Sequence, residues 1–180
     1  MMQQQKNKSP LRRHPGRIHF QDPELKAASL VIGVGNRIHG DDGVGPWIAR
    51  QLKTTSLPNT RIEIRTGEAA ALIESWKATD SVILIDAVNS GPGAQPGKIY
   101  RIDALRQMIP DRFTGPSSHH LGVALAVELA RVLDRLPRHL IVYGVEGQCF
   151  DFGRALTPVV RAAADRVIGR VIAEIAGFQV

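Results

Sequence analysis

The sequence is poor in cysteine and in aromatic residues, and it has no long apolar run. Cys149 is its one cysteine, so no internal disulfide can form and nothing requires an oxidising compartment. Aromatic residues make up 5% of the chain, too few for a surface on which single-stranded nucleic acid would stack. No apolar run approaches the roughly 20 residues that cross a bilayer, and the basic start lacks the apolar core of a secretory signal. We therefore expect a cytoplasmic protein that has neither a membrane nor a nucleic acid as its partner.

The net charge of +6 is concentrated at one end of the chain. Residues 1–27 contain six Lys and Arg and two acidic residues, whereas the rest contains 17 basic and 15 acidic residues. A basic segment beside a nearly neutral one is typical of a solvated extension. We expect a flexible basic extension over 1–27 and one α/β domain over 28–180, because 180 residues suffice for one core.

Several motifs that would assign a function are missing. In "GVGNRIHG" (33–40), Ile38 occupies the third glycine position of a dinucleotide fingerprint, and no phosphate loop is present. The sequence also lacks a cysteine cluster, a His-Glu-x-x-His helix and a Gly-x-Ser-x-Gly turn. These absences argue against nucleotide binding, a closed zinc site, a zincin-type protease and a serine hydrolase.

The apolar pattern predicts strands that alternate with helices. Continuous apolar runs indicate buried strands at 28–35, 81–88 and 139–145, and alternating segments indicate strands at 61–66 and 98–102, the latter at the sheet edge. Helical periodicity covers 44–52, 69–76, a stretch from Ser117 or Ser118 to Leu136, and 157–176, where Thr157 is the N-cap. This order predicts a three-layer α-β-α sandwich around a twisted, mainly parallel sheet of about five strands.

Polar residues follow three of these elements. Asp41 and Asp42 come after the first strand, Asp86 ends the third, and "SSHH" (117–120) opens a helix. Because functional groups of such folds gather at the carboxyl ends of the strands, we expect these side chains to meet at one edge of the sheet.

Structural alternatives exist for each of these groups. An aspartate before a helix can be its N-cap, although only one of two adjacent aspartates can fill that position. Asp86 can cap the turn at Asn89 and Ser90, and the histidines can cap a helix or lie on the surface.

Two carboxylates and an imidazole form a set that suits a divalent transition ion with open coordination positions. A histidine at a helix start tends to stay neutral, and neutral imidazole is the form that binds a metal. Ligands from three separate loops predict a weak or transient site rather than a permanent one.

The sequence resembles the hydrogenase maturation endopeptidases from about Ser29 to Ile175. The resemblance rests on "GVGNRIHGDDGVGPWIARQL", "TGEAAALIE", "VILIDAVNSG", "SSHHLGVALAVEL" and "YGVEGQCFDFGRALTPVV". It implies a phosphorylase/hydrolase-like fold. It also implies an aspartic-type or metal-assisted endopeptidase that removes the C-terminal extension of a nickel-iron hydrogenase large-subunit precursor after nickel insertion.

The resemblance assigns roles to particular residues. Asp42, Asp86 and His119 match the metal-contacting and catalytic positions, with His120 the rival of His119 by one position. The nickel would be supplied by the precursor rather than held permanently, and the enzyme is expected to be a monomer. The expected substrate loops contain Asn36, Asp41, Gly43, Gly67 and His120, with Gly43 and Gly45 leaving room for the ion to approach Asp42.

Two other functions remain open from the sequence. One is a non-catalytic checkpoint or chaperone of the same fold, which binds a metalloprotein precursor without cutting it. The other is a peptidase of the same fold that acts on an unrelated protein.

Overall fold

A computed structural model describes residues 29–77, 79–110 and 121–178. Within them the chain forms five strands, β1 (Ser29–Val34), β2 (Thr60–Arg65), β3 (Ser81–Val88), β4 (Ile99–Asp103) and β5 (His139–Glu146). The helices are α1 (Val44–Lys53), α2 (Ala69–Ser75), α3 (Leu121–Val132) and α4 (Pro158–Phe178), and a 3-10 turn (Gly40–Gly43) precedes α1. The expected extension at 1–27 and the expected start of α3 at residue 117 or 118 lie outside the described residues.

The five strands form one sheet in the order β2-β1-β3-β5-β4. The first four in this order are parallel, and β4 pairs antiparallel with β5 at the edge. Every residue of β1 and β3 is buried, as their continuous apolar runs predict for strands covered on both faces. The predicted mainly parallel sheet is therefore confirmed.

Helices cover both faces of the sheet. Alternate residues of each strand point to opposite faces, and both faces are apolar, so both are buried under helices. Leu84 and Val142 face α2 and α3, whereas Ile83 and Tyr143 face α1 and α4. The two apolar clusters are separated by the sheet itself, so the fold is the predicted three-layer sandwich. No helix in the described part of the chain has the length and apolar character of a membrane span.

The first turn of α1 lies directly on the sheet. A Cβ atom added at Gly45 would overlap the carbonyl oxygens of Val34 and Ile85 and would lie 2.7 Å from the Val34 nitrogen. Such an approach between helix and strands requires a residue with no side chain. The sequence suggested that Gly45 leaves room for an ion; the structure shows instead that it lets α1 pack against β1 and β3.

Candidate functional site

The strand order identifies one end of the strands as the expected place for a ligand. From β1 the chain crosses to β2 on one side, and β3 lies on the other side of β1, so the connections after β1 and β3 diverge. In open α/β sheets, ligands bind at such a point, outside the carboxyl ends of the strands. We call this side of the molecule the carboxyl edge. Asp42 follows β1 and Asp86 lies near the end of β3, so both belong to it.

Asp42 is half-buried in the 3-10 turn that follows β1. Its Oδ2 accepts a hydrogen bond of 2.6 Å from the backbone nitrogen of Asn36, which ties the turn to the loop directly after the strand. Helix α1 has Gly43 as its N-cap and no side-chain cap. The carboxylate of Asp42 therefore faces the loop after β1 rather than capping α1.

The Asn36 side chain stabilises this same loop. The side-chain Oδ1 accepts a hydrogen bond of 3.2 Å from the nitrogen of Ile38, two residues further on. The backbone carbonyl oxygen of Asn36 accepts another from the nitrogen of His39. This is the local turn geometry that asparagine favours. Asn36 shapes the loop that holds Asp42.

Asp86 is 8% exposed and lies on the α2 and α3 face of the sheet, as do its neighbours Leu84 and Val88. Its Oδ1 accepts a hydrogen bond of 2.9 Å from the nitrogen of Ala87. Burial, and then the negative charge of Asp42, raise the pKa of Asp86 to about 7, against a smaller opposing effect of the Ala87 N–H. The two carboxylates are therefore close enough to repel each other.

This pair can bind a cation or exchange a proton near neutral pH. A cation between the carboxylates would remove the repulsion that raises the pKa of Asp86. Within the described residues, no three His, Cys, Asp and Glu side chains group to hold a metal ion. His119 and His120 lie outside the described residues, so the structure does not test them as the third ligand.

The contact between Gly67 and Gly122 shows what the N-terminal part of the described α3 packs against. Gly67 is buried with a φ of 96°, and a Cβ added at Gly122 would overlap its carbonyl oxygen. The first turn of α3 therefore rests on the loop that follows β2, at the carboxyl edge. Gly67, predicted as part of a substrate loop, forms this internal contact.

Gly43 also packs against the protein's own backbone. A Cβ added there would lie 3.2 Å from the Cα of Arg37, in the loop after β1. The absence of a side chain at Gly43 thus lets the 3-10 turn fold closely over that loop.

Asp41 occupies a very different environment from Asp42. It is fully buried, and its carboxylate accepts hydrogen bonds from the backbone nitrogens of Gln148 (2.8 Å), Cys149 (3.0 Å) and Thr157 (2.7 Å). The Thr157 hydroxyl also donates to it, at 2.9 and 3.1 Å from the two oxygens. Predicted as part of a substrate loop, Asp41 is bonded to the protein's own groups.

Glu146 is a buried acid that the sequence reasoning missed. It ends β5 and is fully buried, and its carboxylate accepts hydrogen bonds from the Ser90 nitrogen (2.8 Å), the Ser90 hydroxyl (2.6 Å) and the Tyr100 hydroxyl (3.0 Å). Glu146 therefore fixes the turn after β3, a role that the sequence allowed for Asp86. The signal was present, because in "YGVE" an acid follows an apolar run, as Asp86 does in "ILID" of β3.

Comparison with known proteins assigns the chain to a family. Residues 48–174 match the family model described as hydrogenase maturation protease (HycI). The chain belongs to this family. The matched part runs from α1 to α4, so it spans most of the sheet and includes Asp86. A hydrogenase maturation protease is a peptidase, and the predicted enzyme class is confirmed at that level.

Individual relatives support the same assignment to the hydrogenase maturation proteases. The chain is 29% identical to the hydrogenase 2 maturation protease of Escherichia coli over 147 residues, which is 80% of this chain and 88% of the relative. It is 28% identical over 165 residues to the hydrogenase expression/formation protein HupD of Thiocapsa roseopersicina, covering 88% and 71%. The hydrogenase maturating endopeptidase HybD of Escherichia coli superposes with a TM-score of 0.69 at 27% identity, covering 83% and 92%. The fold and the family predicted from the sequence are confirmed.

Proposed function

We propose that the protein is a nickel-dependent endopeptidase that removes the C-terminal extension of a nickel-iron hydrogenase large-subunit precursor after metal insertion, acting as a cytoplasmic monomer. The observation that carries the proposal is the carboxylate pair at the carboxyl edge of the sheet. Asp86 is held at a pKa of about 7 by burial and by the charge of Asp42. Such perturbed groups cluster at functional sites.

In this proposal the nickel ion arrives with the precursor and is part of the substrate. Oxygen and nitrogen ligands suit a divalent ion of this kind, and Asp42, Asp86 and His119 are the proposed contacts. The repulsion between the two acids supports this role, because a site arranged to receive a cation from another molecule is electrostatically unfavourable without it. Cleavage would then wait until nickel has been inserted.

The reaction is the hydrolysis of one peptide bond. A water molecule, activated by a carboxylate or by the ion, attacks the carbonyl carbon, and its proton is finally transferred to the amide nitrogen, which leaves as an amine. The precursor's nickel ion, when bound, would supply the positive charge that stabilises the oxyanion. Asp86 is suited to the proton transfer because groups with a pKa near the working pH combine the right protonation state with a sufficient driving force.

The direct test compares nickel-loaded and nickel-free precursor in parallel cleavage reactions. We expect the loaded precursor to lose the mass of a C-terminal peptide, measured by mass spectrometry, while the nickel-free precursor stays intact. Precursor incubated without the protease controls for other peptidases. Nickel-dependent association without any loss of mass would contradict the proposal and favour a non-catalytic checkpoint; cleavage that ignores nickel would contradict its metal dependence.

The raised pKa of Asp86 predicts a pH dependence of processing. Protonated Asp86 can neither contact the ion nor accept a proton, and kcat/KM reports the ionisation of the free enzyme. We expect kcat/KM to rise about tenfold per pH unit below about pH 7 and to level off above it. Circular dichroism over the same range controls for unfolding. A flat profile between about pH 5.5 and about pH 8.5 would exclude this role of Asp86.

A further inference from the structure

The segment after β5 is fastened to the loop after β1. The Asp41 nitrogen donates a hydrogen bond of 2.7 Å to the Cys149 carbonyl, and the Gly153 nitrogen donates one of 2.6 Å to the Ile38 carbonyl. The loop after β1, with the 3-10 turn that carries Asp42, forms one wall of the site. We call residues 147–157, which stand beside it, the second wall. An isolated β-bridge between the two segments aligns them further.

The carboxylate of Asp41 is the centre of this attachment. It collects three backbone N–H groups and one hydroxyl from the second wall, from Gln148, Cys149 and Thr157, and no part of Asp41 reaches solvent. Hydrogen bonds to an ionised acceptor are roughly twice as strong as neutral ones. The same carboxylate would be costly to bury without them, so the turn and the second wall stabilise each other's position.

The attachment leaves two apolar side chains exposed to solvent, one in the second wall and one in the loop after β1. Phe152 in the second wall is 72% exposed and Ile38 in the loop is 51% exposed. The ring of Phe152 meets the ring of His39 edge-on, with the centroids 5.6 Å apart. The same loop donates the Asn36 N–H to Asp42, so one loop contacts both Phe152, through His39, and the carboxylate of Asp42.

We propose that Asp41 is a positioning residue for the cleavage reaction. Its buried carboxylate holds the second wall against the loop after β1, which fixes Asp42 and places Phe152 to contact the precursor polypeptide beside the cleaved bond. This inference rests on the proposed function for its substrate, but the attachment itself can be measured without any substrate.

The test replaces Asp41 with asparagine, which keeps the size and removes the charge. We expect the amide protons of Gln148, Cys149 and Thr157 to exchange with solvent about tenfold faster or more, with the amides of β3 unchanged. With nickel-loaded precursor, KM should rise and kcat should fall, for a combined loss of about tenfold or more in kcat/KM. Asp165→Asn, the same change at an exposed position of α4, is the matched control and should alter neither quantity.

Two further variants separate positioning from general stability. Thr157→Val removes only the hydroxyl donor, so it should accelerate the same amides and raise KM, both by less than Asp41→Asn; it decides the question if Asp41→Asn does not fold. Phe152→Ala should raise KM and leave kcat unchanged.

Three results would overturn the inference. They are unchanged exchange of the three amides, a loss of activity that merely follows the unfolded fraction with KM unchanged, and a wild-type KM for Phe152→Ala. Failure of the proposed function has a different signature: the wild-type protein then removes no peptide from nickel-loaded precursor, whereas the exchange of the three amides in Asp41→Asn still tests the attachment.

Discussion

Asp86→Asn is expected to reduce processing of nickel-loaded precursor by about 10²- to 10⁴-fold, which is the usual contribution of a positioned acid or base. The same substitution is expected to make the folded protein more stable above about pH 7. Asparagine keeps an oxygen to accept the Ala87 N–H, but it never carries the charge that ion contact and proton transfer require. The gain in stability follows from the cost of ionising a buried carboxylate beside Asp42.

The sign of the pH effect follows from the two pKa values of Asp86. They are 3.8 in the unfolded chain and about 7 in the folded protein, so the folded state retains the proton over that interval. The contribution of Asp86 to the stability of the wild type should therefore be most favourable below about pH 4 and should decrease as the pH rises to about 7. A shift of this size corresponds to at most about 4 kcal/mol, because one pKa unit is about 1.4 kcal/mol. Asp86→Asn should lack this decrease.

Urea unfolding of both proteins at about pH 4.5 and about pH 8 measures the difference. We expect similar unfolding free energies at the acidic pH and a more stable variant at the alkaline pH. Asp165→Asn should follow the wild type at both. Equal stability of wild type and Asp86→Asn at pH 8 would show that Asp86 ionises without a penalty, and full cleavage by the variant would remove Asp86 from the mechanism.

Most of the fold could be predicted because its signals are local. The apolar runs that became β1, β3 and β5 are too continuous for half-exposed strands, and parallel strands then require helices on both faces. The alternating run at 98–102 also became the edge strand β4, between Ile99 and Asp103. The convergence of Asp42 and Asp86 followed from the same topology, since both come at carboxyl ends of neighbouring strands.

The roles of the remaining acids could not be predicted, because they depend on distant parts of the chain. Asp41 and Asp42 are adjacent, and the difference between them is set by the second wall, more than 100 residues further on. Glu146 likewise receives its donors from Ser90 and Tyr100, 56 and 46 residues away. Sequence patterns compare residues that are close along the chain, so they cannot show which of two adjacent aspartates is buried.

The glycines of the motif "DDGVGPW" show the same limit and lead to the second large prediction. Gly45→Ala should destabilise the fold by about 3 kcal/mol, the upper end of what overpacking a core costs. The new methyl group would overlap the backbone of β1 and β3, which cannot rotate away as a side chain can. Helix α1 would have to lift from the sheet, and the burial of Val44, Ile48 and Leu52 would be partly lost.

Gly169→Ala in α4 is the matched control for this substitution. Nothing lies within 4 Å of a Cβ at Gly169, so there alanine should stabilise the helix by about 0.5–1 kcal/mol. Urea unfolding of the two variants should therefore give changes of opposite sign, and a stabilised Gly45→Ala would disprove the close contact between α1 and the sheet. Because the 3-10 turn with Asp42 leads directly into α1, Gly45→Ala should also reduce processing under conditions in which it remains folded. The packing of one helix on the backbone of the sheet thus determines where half of the carboxylate pair stands.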